Sequence, residues 1–481
     1  MVRRRTGKIN PTEDPPGGEG SGDSTPSQQS DGHPRRALIF FIVSVALFMG
    51  SVDQTAVATA LSTIQDELRG GIEWTSWTIT IYALFQILTM PLAGKLSDMY
   101  GRKKVFVIAA VVFTVASLVC GLVDNIYVLV VFRALQAIGG GAFMPAATGI
   151  VSDHFGENRD RALGMFTSIF PIGGVVGPVV GGLIVSALNW RYIFFVNVPI
   201  GAILIVLAVV FIPAGATRTS KRLDVYGIVL LGALILSLML GITMLGEPDV
   251  GLLDPRFLVP EIIAAIALAL FVVRMRYASA PYIPLRLLTG PGFAVMNLIN
   301  LLVGGAAMGV AALIPVYAQT RFGMAPLEAG SLVTARAIGM AAMAGVAVML
   351  LRRTGYRPPM IIGFVVTAAS LVGMGIVPDS LSSYLWLTAA GGLAGLGLGI
   401  ALPATNNALL HLAADDIGSI AGLRGMFRQS GSILAISIST ALAARSDDPG
   451  AVLGLCMLVF AGVLVCVIPL ILFVPDHRGS W

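Results

Sequence analysis

A carboxyl group and a guanidinium group lie inside apolar stretches of this chain. Asp53 is seventeen residues beyond Arg36, which corresponds to about 25 Å along a helix. Arg133 lies in another apolar stretch, and Gln136 follows at the spacing that places both on one helical face. An ionisable side chain in hydrocarbon costs free energy and by default marks an ion or substrate pathway. We hypothesise that a proton and a bound compound compete for Asp53 and that Arg133 tunes this competition. A structural acid and a structural arginine are the alternatives.

Other polar residues in the apolar stretches are candidates for lining a cavity. They are Tyr82, Gln86, Asn297, Asn300, Arg336, Asn406 and Asn407. Arg336 gives the strongest signal, because an arginine nine residues into a span needs a partner or water, and it could bind an anionic group. We expect no catalytic group and no metal site, because the four histidines are dispersed along the chain. This pattern disfavours an intramembrane enzyme.

These side chains must be positioned by helices that cross a membrane. The 481 residues are 56% hydrophobic and only 12% charged, with a mean hydropathy of +0.86, which excludes a soluble globular protein. A span needs about 20 apolar residues, and charged or Pro/Gly-containing breaks divide the chain into fourteen candidate spans. We therefore expect an all-α polytopic membrane protein with 14 transmembrane helices. The net charge of +5 reflects topology rather than binding to nucleic acid.

The basic residues orient this map. Of the 31, 24 fall on one side, five on the other and two inside spans, so both termini are predicted to be cytoplasmic. This count assigns Arg424 and Arg428 to the cytoplasmic side. The spans form a six-plus-two-plus-six plan, a layout typical of secondary transporters. The predicted divisions are a disordered cytoplasmic tail at 1–36, a six-helix bundle at 37–212, an inserted helix pair with flanking loops at 213–292, a second six-helix bundle at 293–474, and a cytoplasmic tail at 475–481.

Several motifs resemble those of one transporter family. Residues 94–104 read GKLSDMYGRKK, which is similar to the signature loop of the major facilitator superfamily. Residues 173–182, GGVVGPVVGG, look like its antiporter motif, and 133–139, RALQAIG, resemble its fourth-span pattern. Residues 189–201, NWRYIFFVNVPIG, resemble the junction of the fourteen-span drug:proton antiporter branch. The resemblance extends over residues 37–475.

The resemblance implies roles for two sets of residues. The first set would form a conformational latch at the cytoplasmic side: Gly94, Asp98, Gly101, Arg102 and Asp153. The second set would form the antiporter glycine motif of the fifth span: Gly173, Gly177, Pro178, Gly181 and Gly182. An ion-pair network that breaks during rocking of the two bundles is a plausible bistable element.

The resemblance and the residues together predict a function. We expect a proton-coupled secondary transporter that exports hydrophobic or amphipathic, often cationic compounds by alternating access. The alternative is a narrow-specificity exporter of an endogenous metabolite or lipid, and the antiporter motif argues against a third interpretation, a nutrient symporter. A nucleotide-binding GxxxxGK[ST] loop is absent from the sequence, so we expect no cofactor and a proton gradient as the energy source. The expected partners are the lipid bilayer of a bacterial plasma membrane, protons and a small amphipathic substrate, and the protein is expected to act as a monomer.

Overall fold

The computed structural model is all-helical in the part of the chain that it describes. The predicted tails at 1–36 and 475–481 lie outside this part, except for residues 32–36, which belong to the first helix. The structure describes residues 32–69, 72–156, 159–167, 169–214, 224–245, 247, 249–279, 281–290, 292–378, 380–410 and 417–474.

The described residues of the first half form nine helices. They are α1 (Gly32–Ala56), α2 (Leu61–Leu68), α3 (Ile72–Tyr100), α4 (Arg102–Leu122), α5 (Ile126–His154), α6 (Arg159–Thr167), α7 (Ile169–Ala187), α8 (Tyr192–Phe195) and α9 (Asn197–Phe211). A 3₁₀ turn, Val57–Ala60, follows α1. Asn125 caps α5, because its side chain accepts hydrogen bonds from the backbone N–H groups of Tyr127 and Val128.

Two inserted helices, α10 (Val225–Leu245) and α11 (Pro255–Tyr277), pack against each other. The short α12 (Leu285–Thr289) follows them. Asp224 is buried before α10 and accepts a hydrogen bond of 2.9 Å from Arg274 Nε of α11. The segment after α11 is attached to the first half, because the Tyr282 hydroxyl donates to the Leu88 carbonyl at 2.6 Å. The helix pair is therefore anchored to α3 through backbone acceptors.

The second half repeats the helical layout. Its helices are α13 (Phe293–Val303), α14 (Val310–Phe322), α15 (Pro326–Thr354), α16 (Arg357–Gly375), α17 (Ser383–Leu410), α18 (Ile417–Ala444) and α19 (Pro449–Ile471). A π-helical turn, Gly304–Gly309, joins α13 to α14. Glycines allow these helices to pack closely: a Cβ at Gly395 of α17 would lie 1.9 Å from the Arg336 carbonyl of α15.

Twelve helices in the described part are long and apolar enough to cross a membrane. Helices α7 and α18 are not among the twelve, although α7 packs on α1 and α18 packs on α3. Helix α18 has 28 residues, but its arginines, glycines and serines lower its hydropathy. The count of fourteen spans and the predicted division into 37–212, 213–292 and 293–474 therefore stay predictions.

Candidate functional site

The side chain of Asp53 is enclosed by polar groups from two other helices. Its Oδ2 lies 2.7 Å from Arg133 Nη1 of α5, and its Oδ1 accepts hydrogen bonds of 2.8 Å from Gln136 Nε2 and from Asn197 Nδ2 of α9. Arg133 Nη1 also donates to Gln136 Oε1 at 2.6 Å. Asp53 is 1% exposed and Arg133 0%. These four residues, called the Asp53 cluster below, form a buried ion pair with neutral amide donors around the carboxylate.

Aromatic rings cover the guanidinium group of Arg133. Its Cζ lies 4.2 Å from the centroid of the Tyr82 ring and 5.6 Å from that of Phe194, which are cation–π distances. Its Nε donates to the Thr78 carbonyl at 3.3 Å, while its Nη2 has no hydrogen-bond partner among the described residues. The predicted cavity residue Tyr82 therefore belongs to the wall of this cluster.

The structure brings together Asp53, Arg133 and Gln136 as the sequence predicts, and it adds two residues. Asn197 lies at the first position of α9, and Ser117 of α4 accepts a hydrogen bond of 2.7 Å from Gln136 Nε2. Neutral polar residues cost less in a span than charges do, so their types alone give a weak signal. The Asn-x-Pro sequence at the start of an apolar run is the one local sign that could have identified Asn197.

The glycine motif of α7 packs against the helix that carries Asp53. A Cβ at Gly177 would lie 2.8 Å from the Val52 carbonyl, and one at Gly181 would lie 2.7 Å from the Ala56 carbonyl. A Cβ at Gly173 would meet Ser51, whereas one at Gly182 would meet no atom within 4 Å. Pro178 lies inside the helix between these contacts. Gly173, Gly177 and Gly181 therefore set the approach of α7 to α1 within the first half.

The predicted latch residues meet at the end of α3. Arg102 forms an ion pair with Asp153 and donates a hydrogen bond of 2.5 Å to the Gly149 carbonyl of α5. Arg102 Nη2 lies 3.9 Å from Asp98 Oδ1. Gly101 has a φ of 97°, a left-handed value that favours glycine. The turn thus places the arginine between the two acids.

The same turn contacts the second half of the chain. Asp98 Oδ2 accepts hydrogen bonds from the backbone N–H and the hydroxyl of Ser419, at 3.1 and 3.0 Å, in the first turn of α18. A Cβ at Gly94 would lie 2.2 Å from the Gly418 carbonyl, and one at Gly422 would lie 2.1 Å from the Met90 carbonyl. These contacts, called the inner interface below, join α3 to α18 on the predicted cytoplasmic side.

A second buried polar group lies inside the second half. Arg428 Nη2 of α18 donates to Asn300 Oδ1 at 3.0 Å and to Asn406 Oδ1 at 2.8 Å. Arg424, one turn earlier, donates to the Asn406 carbonyl at 3.3 Å. These four residues are called the Arg424 cluster below, and Asn407 is buried next to Asn406. The sequence count groups Arg424 and Arg428 with the cytoplasmic bases, and the structure adds that both guanidinium groups are buried and lie on α18.

The other predicted cavity residues have separate surroundings. Arg336 of α15 donates to the Ala307 carbonyl in the π-helical turn. Asn297 Nδ2 donates to the Leu287 carbonyl at 2.8 Å and so ties α13 to α12. Gln86 is buried on α3, where a Cβ at Gly141 of α5 would lie 2.9 Å from its carbonyl. None of these three contacts the Asp53 or the Arg424 cluster through a hydrogen bond given for the described residues.

An acid on the inserted pair was also missed. Glu261 lies six residues into α11, and its Oε1 would meet a Cβ at Gly241 of α10 at 2.3 Å. Glu261 lies near the end of an apolar run, so its position in the sequence gives no sign of burial, unlike that of Asp53. The packing of α10 on α11 places its carboxylate inside the helix pair.

An ionic cluster with partly exposed side chains lies on the predicted outer side of the first half, away from the inner interface. Arg191 forms an ion pair with Glu67 and another, at 2.6 Å, with Asp124, and Trp190 Nε1 donates to Glu67 at 2.6 Å. Burial acts to raise the pKa of Glu67, but the hydrogen bonds from Arg191 and Trp190 outweigh it and hold this pKa below its ordinary value.

Comparison with known proteins identifies the family. The Major Facilitator Superfamily profile matches residues 43–312 and 296–481, which together cover most of the chain. The chain belongs to the Major Facilitator Superfamily. It is a membrane transporter rather than an enzyme, and a multi-pass protein of the plasma membrane.

Curated relatives place it among efflux-type members of this family. The chain is 30% identical over 421 residues to the multidrug transporter protein MdtP of Bacillus subtilis, covering 86% of this chain and 76% of the relative. It is 30% identical over 431 residues to the tetracenomycin C resistance and export protein of Streptomyces glaucescens, covering 88% and 79%. It is 28% identical over 406 residues to the riboflavin transporter RibZ of Clostridioides difficile, covering 84% and 86%.

Solved structures of distant members share the fold. The human organic anion transporter MFSD10 superposes with a TM-score of 0.66 at 12% identity, covering 91% of this chain and 99% of that chain. The proton:xylose symporter XylE superposes with a TM-score of 0.64 at 13% identity, covering 93% and 98%. At these identities the likeness extends to the fold alone.

Proposed function

We propose that this protein is a proton-coupled exporter of hydrophobic or amphipathic compounds and that Asp53 carries the proton. The observation that carries the proposal is the burial of the Asp53–Arg133 ion pair in the interior of the first half. A buried, ionisable pair inside a membrane bundle is expensive and by default functional. The relatives named as multidrug and antibiotic exporters support export as the direction of transport.

Protonation of Asp53 would change contacts between three helices at once. In the ionised state, the carboxylate accepts from Arg133 and Gln136 of α5 and from Asn197 of α9. A protonated carboxyl group has one fewer acceptor position and no charge, so it releases Arg133 from its ion pair. The position of α1 relative to α5 and α9 thereby depends on proton occupancy. Helix α1 also packs on the α7 glycines, so this change reaches the neighbouring helix.

The inner interface would then alternate with an open state. Asp98 and Ser419 hold α3 against α18, and Arg102 with Asp153 holds the turn after α3 against α5. We assign these ion pairs and hydrogen bonds to the stabilisation of the conformation that is closed toward the cytoplasm. Opening to the cytoplasm requires their loss, and the resulting two-state element provides alternating access.

The test uses purified protein in liposomes with an imposed pH gradient. Ethidium is the cationic probe, and the free acid of rhodamine is the carboxylate-bearing probe. We expect wild-type protein to accumulate at least one probe against its gradient. Asp53→Asn should lose this accumulation while retaining exchange of probe without a pH gradient, because the neutral amide keeps the packing but cannot take up a proton.

Asp66→Asn is the matched control, because it removes an exposed carboxylate from the same half of the chain. It should accumulate the probe as the wild type does. Gradient-driven accumulation that survives in Asp53→Asn would assign the proton to another group. Loss of both accumulation and exchange in a folded Asp53→Asn protein would reduce Asp53 to a structural role.

A narrow-specificity exporter of one endogenous metabolite is the second candidate, and the riboflavin transporter relative favours it. The two candidates differ in breadth. A multidrug exporter transports chemically unrelated probes that compete with one another, whereas a narrow exporter responds to one scaffold. Competition for ethidium transport by unrelated amphipathic compounds, with riboflavin as one of them, discriminates between them.

A further inference from the structure

Two arginines lie one helical turn apart inside the second half, without a carboxylate beside them. Arg424 is 0% exposed and Arg428 is 7% exposed. Every hydrogen bond described for their guanidinium groups goes to a neutral acceptor, either an asparagine side chain or a backbone carbonyl. Among the described residues the buried acids are Asp53 and Asp224, and these pair with Arg133 and Arg274 instead.

Part of each guanidinium group lacks a partner. In the described part of the chain, Arg424 Nε and Nη2 and Arg428 Nε are buried and have no hydrogen-bond acceptor. Nε and Nη2 lie on the same edge of a guanidinium group, and their N–H groups point in parallel. This edge is the one that forms two parallel hydrogen bonds with a carboxylate or a similar oxyanion. Arg424 therefore presents a complete, unused bidentate donor.

The cluster lies beside the interface between the halves. By helical rise, Arg424 and Arg428 are about 10 and 16 Å from the start of α18, which the predicted topology places between the cytoplasmic surface and the middle of the membrane. Gly425, between them, contacts the first half, because its Cβ would lie 2.7 Å from Met90 Sδ. In transporters built from two similar halves, substrates bind near the midplane between the halves. The unused donors thus lie next to the expected transport path.

We infer that Arg424 and Arg428 bind an anionic group, a carboxylate or a similar oxyanion, on the transported compound. The inference rests on the proposed export function and names the class of its substrates as amphipathic acids. Arg424 supplies the bidentate edge. Arg428 is held in place by Asn300 and Asn406 and adds a second positive charge one turn away. The anion supplies negative charge that no buried side chain in the described second half provides, so bound substrate would offset part of the charge of the two buried cations.

The test compares two probes that differ in one group. Binding of the free acid of rhodamine and of its methyl ester to the purified full-length chain is measured by fluorescence anisotropy, without a pH gradient. We expect the acid to bind about tenfold or more tightly than the ester, the effect of a charge-assisted bidentate contact. Arg424→Gln should remove this preference by weakening the acid alone.

Two further variants serve as controls. One keeps the positive charge at position 424 but changes the donor geometry, and the other changes the net charge of the protein at a distant site. Arg424→Lys keeps the charge but lacks the bidentate edge, so it should recover only part of the preference. Arg353→Gln removes an exposed arginine at the end of α15 and should leave both affinities unchanged. Thermal unfolding of each variant verifies that it is folded, and the Lys variant keeps the test decisive if the Gln variant fails to fold.

Several outcomes would overturn the inference. They are equal binding of acid and ester, a preference for the ester, binding of neither by folded wild-type protein, and a preference for the acid that survives in Arg424→Gln. A lipid phosphate could occupy the same donors, so binding is repeated in vesicles of phosphatidylcholine with and without phosphatidylglycerol. Loss of the acid preference on adding the anionic lipid would assign the site to lipid instead. The binding assay uses no pH gradient, so a negative result would not contradict the proposal of proton coupling. A loss of proton coupling in the transport assay would likewise not affect the binding measurement.

Discussion

The Asp53 cluster and the Arg424 cluster differ in whether a buried carboxylate pairs with the buried guanidinium charge. In the first half, the charge of Arg133 is matched by Asp53 at 2.7 Å, and amides from α5 and α9 satisfy the remaining carboxylate oxygen. In the second half, two guanidinium groups donate hydrogen bonds to neutral oxygens. Three of their nitrogen atoms have no acceptor among the described residues. The charges of Arg133 and Asp53 balance each other without a ligand, whereas the Arg424 cluster lacks an anion.

The two clusters also differ in depth. On the predicted topology, Asp53 lies about 25 Å along α1 from Arg36, in the outer half of the membrane, whereas Arg424 lies about 10 Å from the cytoplasmic end of α18. A proton carried by one half and a substrate anion bound by the other would be coupled through the movement of the halves rather than through direct contact. Polar residues in a transporter bundle therefore need not all belong to one cavity.

The largest expected effect comes from breaking the matched pair. Arg133→Gln leaves a buried carboxylate without its cation, which should destabilise the protein by about 3–5 kcal/mol. The double variant Asp53→Asn/Arg133→Gln removes both charges and should regain most of this loss. The midpoint of thermal unfolding in detergent measures both. A double variant as unstable as Arg133→Gln would mean that packing, rather than charge pairing, dominates this cluster.

A substitution at the inner interface tests whether contact between the two halves is needed for transport. Gly94→Ala places a methyl group 2.2 Å from the Gly418 carbonyl, so the backbones must separate. We expect the conformation closed at the inner side to lose about 1–3 kcal/mol and the initial rate of transport to fall about tenfold. Gly462→Ala of α19 is the control, because no atom lies within 4 Å of its Cβ position. Equal rates for both variants would contradict a role for this contact in transport.

Removing a charge from the Arg424 cluster should change the stability of the protein in the opposite direction. Arg424→Gln eliminates a buried cation that has no carboxylate partner, so the substrate-free protein should gain about 1 kcal/mol or remain unchanged. Thermal unfolding without added ligand measures this change. Destabilisation as large as that of Arg133→Gln would show that Arg424 is held by a structural anion and would remove the contrast between the two halves.

The smallest effect is expected for the exposed cluster of Glu67 and Arg191, which provides a solvent-screened reference. The pKa of Glu67 is lowered in the folded state, so its contribution to stability is present above the ordinary value of 4.5 and is lost as the pH falls through the lowered value. This contribution should stay below about 1 kcal/mol because the side chains are partly exposed. The pH dependence of unfolding should be slightly smaller in Glu67→Gln, and added salt should reduce the difference. An unchanged pH dependence would contradict this assignment.

Part of the site could be predicted because charges in apolar runs are costly and therefore visible. Asp53, Arg133 and Gln136 were predicted to lie together, and the structure joins them directly. The latch residues Asp98, Arg102 and Asp153 also meet, as the family resemblance implied. Asn197 and Ser117 were not predicted, because a neutral side chain carries no comparable penalty and gives only a weak signal.

Other features depended on distant contacts and could not be predicted. Arg424 and Arg428 are counted with the cytoplasmic bases along the chain, and their burial arises only from the packing of other helices, α13 and α17 among them, around α18. Glycines at 94 and 418 are unremarkable alone, since their role arises from the approach of two helices more than 300 residues apart in sequence. The hydrogen bond by which Asn297 joins α13 to α12 likewise has no sign in the sequence, and its place in a cavity stays a prediction.

The amino-acid sequence by itself determined that this protein is a helical membrane transporter of the Major Facilitator Superfamily, because apolar length, charge asymmetry and local motifs act within short segments of chain. The tertiary structure decided which polar groups are satisfied and which still await a ligand. Hydrogen bonding between helices depends on relative positions that no local pattern specifies. For this reason the Asp53 pair was predictable, whereas the unpartnered edge of Arg424 became visible only in the folded protein.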